Sequence, residues 1–296
     1  MSALLRNHRR GSRIVNVARE FHADRQDEPI RPASTVMLVR SRTDLASRLE
    51  VFMVQRTHSA SFARGMYVFP GGRVDDIDAD PQLHRLCDGL DDRRASELLR
   101  VEGGGLAYWV GALRECFEES GILLARHARS GELVRIDDAA TAKRFTEARD
   151  AVHAGRMSML DLCREENLRL ALDSVRYVSH WITPRGESRR FDTRFFVAPA
   201  PPGQEPLHDD QETIDSLWVA PGDALERATR GELAMFPPTA SNLQFLAEHP
   251  DIDAVLAAAA EIGVPPAILP KFKVDDRGHV IGIVLPGQPG YEELAD

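Results

Sequence analysis

Short runs rich in apolar and β-branched residues alternate along this chain with longer polar stretches of helical character. "ASTVMLVR" (33–40) and "LEVFMVQR" (49–56) are separated by a polar turn and predict paired strands. "MYVFPGGRVD" (66–75) predicts a short strand broken at Pro70, Gly71 and Gly72. "SVRYVSHWITP" (174–184) and "RRFDTRFFVAPA" (189–200) are strand-like and flank a basic turn. "ETIDSLWVA" (212–220) and "HVIGIVLPG" (279–287) predict two further strands. Helical patterns fall at 107–125, 137–172, 241–263 and, starting at Pro221, over a short stretch after the 212–220 strand. Residues 1 to about 30 read as a polar arm. Residues 79–106, acidic, helix-prone and closing on "EGGG", read as an insertion in the main fold. A C-terminal helical extension is expected from about residue 236. Strands interleaved with helices predict an α/β fold in which a mixed β-sheet lies between helices.

With 296 residues, 43% of them hydrophobic, the chain can bury a sizeable core. A net charge of −9 argues against a broad nucleic-acid surface, while a local basic cluster can still take a phosphorylated small molecule. Cys87, Cys116 and Cys163 are far apart and odd in number, so neither a disulfide framework nor a zinc spacing can be built from them. The basic start lacks a continuous apolar stretch, and nowhere do about eighteen apolar residues run together. These features predict a soluble cytoplasmic protein with no membrane span and leave a homo-oligomer open.

The chemistry concentrates in "ALRECFEESGI" (112–122), where Glu115, Glu118 and Glu119 fall within five positions. At roughly 100° per residue the three carboxylates occupy an arc of about 100°, with Val110, Leu113 and Phe117 on the opposite face. A solvated acidic face is the ordinary fate of such charge. Here like charges at i, i+4 destabilise the helix, and Arg114 is the only basic residue near enough in the helix to compensate. At about 5 Å and an effective dielectric of about 20, each carboxylate pair repels by roughly 3 kcal/mol. A hard divalent cation with oxygen ligands, Mg²⁺ or Mn²⁺, would relieve that repulsion.

"GRVDDID" (72–78) followed later by "RECFEESGI" (114–122) resembles the signature of the Nudix hydrolase superfamily, split in two. Gly72, Arg114, Glu115, Cys116, Glu118, Glu119, Gly121 and Ile122 match the pattern in order. Asp78 stands where the pattern has its first glutamate. Thirty-five residues, 79–113, separate the halves where the family has seven. Such an insertion, with the "WITPRGESRRFDTRFF" run (181–196), resembles the branch of the peroxisomal coenzyme A diphosphatases.

The resemblance implies an α/β/α sandwich and metal-dependent hydrolysis of a diphosphate bond, with coenzyme A or an acyl-coenzyme A first among the substrates. Glu115, Glu118, Glu119 and the Gly72 carbonyl would hold Mg²⁺ or Mn²⁺, while Asp78 and Gly121 would support the box, Asp78 by anchoring Arg114. The catalytic base would be Glu118, or Glu212 from a later acidic loop that reads equally well as solvated. Arg56, Arg185, Arg189 and Arg190 are candidates for phosphate contact, because guanidinium forks suit phosphate oxygens. Arg189 and Arg190 should point to opposite faces if they lie in a strand. Trp181 and Phe191 are candidates for stacking on adenine, against the plainer alternative of core packing. The rival readings are a diphosphatase for NADH, ADP-ribose or nucleoside triphosphates, and a non-catalytic ligand sensor. Sensors of this fold usually lose a helix glutamate, and all three are kept here.

Overall fold

Val36, Met37, Leu38 and Val39 are four consecutive apolar residues, and a strand that buries both faces must be covered on both sides. The computed structural model, which describes residues 28–41, 49–57, 65–206 and 213–294, shows how. Residues 1–27 of the predicted arm and the candidate base Glu212 lie outside the described residues.

In chain order the elements are β1 (Ile30–Ser41), β2 (Leu49–Arg56), β3 (Tyr67–Val68), β4 (Gly71–Arg73), α1 (Pro81–His84), β5 (Cys87–Asp88), α2 (Asp92–Leu99) and α3 (Leu106–Ser120). There follow β6 (Ala125–His127), α4 (Ala139–His153), α5 (Met159–Glu165), β7 (Leu168–Ala171), β8 (Arg176–Ile182), β9 (Arg190–Pro199) and β10 (Thr213–Val219). The rest is α6 (Pro221–Thr229), α7 (Pro237–Ala247), α8 (Ile252–Ile262), β11 (Ala267–Ile268), β12 (Lys271–Val274) and β13 (Val280–Val284).

The main sheet runs β10-β2-β1-β9-β8-β11, with β3 added beside β2 and β4 beside β1. It is mixed: β1 lies parallel to β9, and β11 parallel to β8, while the other pairs are antiparallel. Side-chain alternation sorts the strands into two cores. Val36 and Leu38 of β1, Phe52 and Val54 of β2 and Phe196 of β9 face α2, α3, α4 and α5. Met37, Val39, Val51, Met53 and Val197 face α6, α7 and α8 on the other side.

Residues 79–106 carry more than the predicted helix. β5 pairs with β7, which pairs with β6, in a separate three-stranded sheet, and α2 buries Ala95 and Leu99 against the first core. Asp92 accepts hydrogen bonds from the N–H groups of Gly104 and Leu106 at 3.2 and 2.9 Å, so the segment fixes the start of α3. The stretch 137–172 likewise ends in a strand, β7, because Leu168, Leu170 and Ala171 are buried between β5 and β6. The helix expected over 241–263 is two helices. The position before a proline, here His249 before Pro250, disfavours helical backbone, and Asp251 caps α8 through the N–H of Ala254 at 2.9 Å. The extension beyond residue 236 ends in strands; β13 falls within the predicted 279–287 run, while β11 and β12 were not predicted. Among the described residues no helix is long and apolar enough to cross a membrane.

Candidate active site

Helix α3 is buried almost all round because the sheet covers one side and α2 and α4 the other. Its last turns bring Arg114, Glu115, Glu118 and Glu119 to the sheet edge where β4 crosses β1. Gly121 ends it in the left-handed region, φ 72°, and donates its N–H to the Phe117 carbonyl at 2.9 Å.

Arg114 is the centre of the arrangement. Its Nε and Nη2 fork onto the two oxygens of Asp78 at 2.8 and 2.9 Å, and Nη2 also reaches the Arg73 carbonyl at 2.8 Å. Its Nη1 donates to Glu115 Oε1 at 2.9 Å and to Glu118 Oε1 at 3.1 Å. Burial disfavours the guanidinium charge, but the Asp78 hydrogen bonds and the fields of Glu115, Asp78 and Glu118 outweigh it and hold the group firmly charged. Asp78 sits on a short 3₁₀ turn, Asp76–Ala79, and takes a further hydrogen bond from the Asp75 N–H at 2.9 Å.

Glu119 is buried and faces the strands. One oxygen accepts from the Gly71 N–H at 2.9 Å, and the other lies 3.5 Å from Arg56 Nη1 at the end of β2. Gly72 passes so close to Glu115 that a Cβ there would fall 2.5 Å from the carboxylate carbon, so no larger residue fits without displacing the acid. Arg149 of α4 donates to the carbonyls of Glu118 and Glu119 at 2.8 and 3.3 Å, quieting the C-terminal end of α3. His153, also on α4, has Nδ1 3.9 Å from Glu118 Oε2.

Burial pushes the Glu115 carboxyl up to about 7, with Arg114 opposing and Glu118 reinforcing the shift. The Glu118 carboxyl is also raised, by burial first, against the pull of Arg114 and His153.

The expected convergence of the three carboxylates on one point is not what the structure shows. Among the described residues no group of three or more His, Cys, Asp or Glu side chains is arranged to hold a metal ion. The physical reason is local pairing: Arg114 takes Glu115 and Glu118, while the Gly71 N–H and Arg56 take Glu119. The donor chemistry nevertheless suits a hard divalent cation, with three carboxylates on one face and the Gly72 backbone pressed against Glu115.

These residues form one end of a cleft of about 580 Å³. Arg56, Trp181 and Arg189 line it, as does Phe191. Trp181 is buried, and its indole Nε1 has no hydrogen-bond partner among the described residues. Strand alternation divides the 189–196 segment. Phe191, Thr193 and Phe195 border the cleft, while Arg194 turns to the other face and donates to the Leu99 carbonyl and the Tyr177 hydroxyl at 3.2 and 3.0 Å. Two candidates do not line this cleft. Arg190 is buried outside the cleft wall, its Nε donating to the Thr183 carbonyl at 3.2 Å, and Arg185 is exposed and also absent from the wall.

Sequence reasoning missed Arg149, His153 and the Arg73 carbonyl. Nothing in their local pattern distinguishes them, since each reaches the site across 30 or more residues of chain.

Residues 90–246 match the family model of the NUDT19 Nudix domain, more than half of the chain. The chain belongs to this family, within the Nudix hydrolase superfamily. The match begins inside the insertion, so β1 to β4 and the first half of the split box precede it. Acyl-coenzyme A diphosphatase NUDT19 of Xenopus laevis is 27% identical over 221 residues, 65% of this chain and 58% of that protein. The protein of the same name from Homo sapiens is 28% identical over 232 residues, 67% of this chain and 60% of its own length. The chain thus spans about three-fifths of the length of these relatives. The crystal structure of a Nudix hydrolase from Alicyclobacillus acidocaldarius superposes with a TM-score of 0.65 at 26% identity, covering 81% of this chain and all of that one. The superposed structure shows the Nudix α/β fold, and the family model with the named relatives places the chain in the coenzyme A diphosphatase-like branch.

Proposed function

We propose that this Nudix domain hydrolyses the diphosphate of coenzyme A or an acyl-coenzyme A to 3′,5′-ADP and a 4′-phosphopantetheine. The observation that carries the reading is the placement of Glu115, Glu118, Glu119 and Gly72 at one end of a single cleft that Arg56 and Arg189 also line. The relatives named acyl-coenzyme A diphosphatase support the substrate class.

Glu115, Glu118, Glu119 and the Gly72 carbonyl would hold Mg²⁺ or Mn²⁺. A divalent ion bound there supplies charge neutralisation for the diphosphate and a more acidic attacking water. Arg114 can give up its contacts to Glu115 and Glu118 without leaving its place, because the Asp78 fork and the Arg73 carbonyl still hold it. Glu118 borders the cleft, and its raised carboxyl suits it to take the proton of the attacking water as the phosphorus–oxygen bond of the diphosphate breaks. Arg56 and Arg189 supply guanidinium donors for phosphate oxygens.

The test is a panel of coenzyme A, its thioesters, NADH, ADP-ribose and nucleoside triphosphates with Mg²⁺ or Mn²⁺, with products identified by mass spectrometry. Phosphopantetheine release is expected. Brisk turnover of NADH or ADP-ribose with none of coenzyme A overturns the substrate while keeping the reaction class. Binding without any hydrolysis, even with Mn²⁺, makes the domain a sensor.

A further inference from the structure

The cleft is not acidic throughout. Phe236 and Pro237 at the start of α7, Pro270, Phe272 and Ile283 also line it. None of these side chains carries charge. Phe272 and Ile283 are cross-strand partners in the β12–β13 hairpin, so they stand side by side on one face of it. Val274, two positions beyond Phe272 on β12, lies past a shift of register in which Lys273 pairs with Gly282 and Val274 with Val280, so the irregularity falls on β13 and β12 keeps its own period of two; Val274 is 38% exposed and Ile283 37%. An apolar strip therefore runs from inside the cleft to the surface. The hairpin lies beyond residue 246, where the match to the family model ends.

Apolar surface that continues out of a polar site marks the seat of an apolar ligand. An adenine ring stacked on Phe272 would leave Val274 uncovered. A ligand gripped at the acidic end by its diphosphate, with an aliphatic tail, matches both ends of one cavity. We propose that Phe272, Ile283 and Val274 form the seat of the substrate's acyl chain, so that the hairpin reads chain length. The inference rests on the coenzyme A thioester reading above. The chain lies along the hairpin face, first against Phe272 and Ile283 and, when longer, against Val274.

The experiment compares kcat and KM for free, acetyl-, hexanoyl- and decanoyl-coenzyme A in the wild type, Ile283→Glu and Val274→Glu, with thermal melts to confirm folding. Both positions are exposed, so both variants should fold. In the wild type KM should fall along the series, by roughly fourfold for each methylene fully buried. Ile283→Glu should bring the decanoyl-to-acetyl ratio of kcat/KM to within about twofold of one, and Val274→Glu should lower it for decanoyl while sparing hexanoyl. A flat wild-type series, or a chain-length dependence that survives in both folded variants, overturns the inference while free coenzyme A is still cleaved. If Ile283→Glu raises KM for free coenzyme A and every thioester by one factor, the hairpin holds the nucleotide and the inference falls. No cleavage of coenzyme A or any thioester overturns the thioester reading itself, and the acyl seat with it.

Discussion

The Asp78 carboxylate takes two hydrogen bonds from Arg114 and one from the Asp75 N–H while only 1% of the residue is exposed. Its replacement leaves a buried guanidinium paired only through Glu115, Glu118 and the partly exposed Asp75. Asp78→Asn should cost about 3 kcal/mol in urea unfolding, the lower end for a broken buried pair because those partners remain. Glu119→Gln should lower turnover by about a hundredfold or more with the fold intact; near wild-type rates would remove Glu119 from the reacting centre. Glu115 gives a pH signature in metal-free protein. Its folded value near 7 lies above its ordinary 4.5, so the stability it contributes is complete below about 4.5 and is lost as pH rises through 7. Urea melts in EDTA should therefore show a stability decline between those values that Glu115→Gln flattens.

At the scale of elements, α3 is positioned by what packs around it as much as by its own sequence. The segment 79–106 supplies α2, whose Leu99 is 2% exposed in the first core. A loosely attached lid would tolerate truncation there. Leu99→Ala should instead cost 2–5 kcal/mol, read by denaturant unfolding. The short strands β5 and β7, two and four residues long, carry too few positions to show a period of two, which is why they were not legible in the sequence. The hairpin β12–β13 escaped in part for the same reason: Lys271 to Val274 alternates apolar with lysine over only four residues. By contrast β1, β2, β8 and β9 are longer and carry enough apolar positions that their patterns placed them within a few residues.

For the whole molecule, the central sheet couples the two cores, since each strand sends alternate residues to each. Leu99 belongs to one core and Leu246, which is fully buried, to the other. If the cores fold as one unit, Leu99→Ala and Leu246→Ala should each shift a single transition seen alike by circular dichroism and tryptophan fluorescence. Two separated transitions in either variant would show the cores melting apart. The cleft exists only at this scale, because its glutamates come from α3, Arg56 and Arg189 from β2 and the turn before β9, and its apolar wall from the start of α7, β12 and β13.

The sequence by itself determined the chemistry: the acid-rich turn of one helix, the glycines that precede it and the aspartate that anchors Arg114 are local features, fixed by helix period and by the order of the split motif. It could not decide which arginines meet the cleft, because that depends on where β9 begins: Arg189, in the turn before it, reaches the wall, while Arg190, its first residue, does not. Nor could it show Arg149 at the end of α3, the pairing of each glutamate with its own donor, or an apolar wall arriving from the last 30 residues. Those are contacts between distant segments, and their geometry is set by how the layers pack around the sheet, a property no short stretch of chain contains.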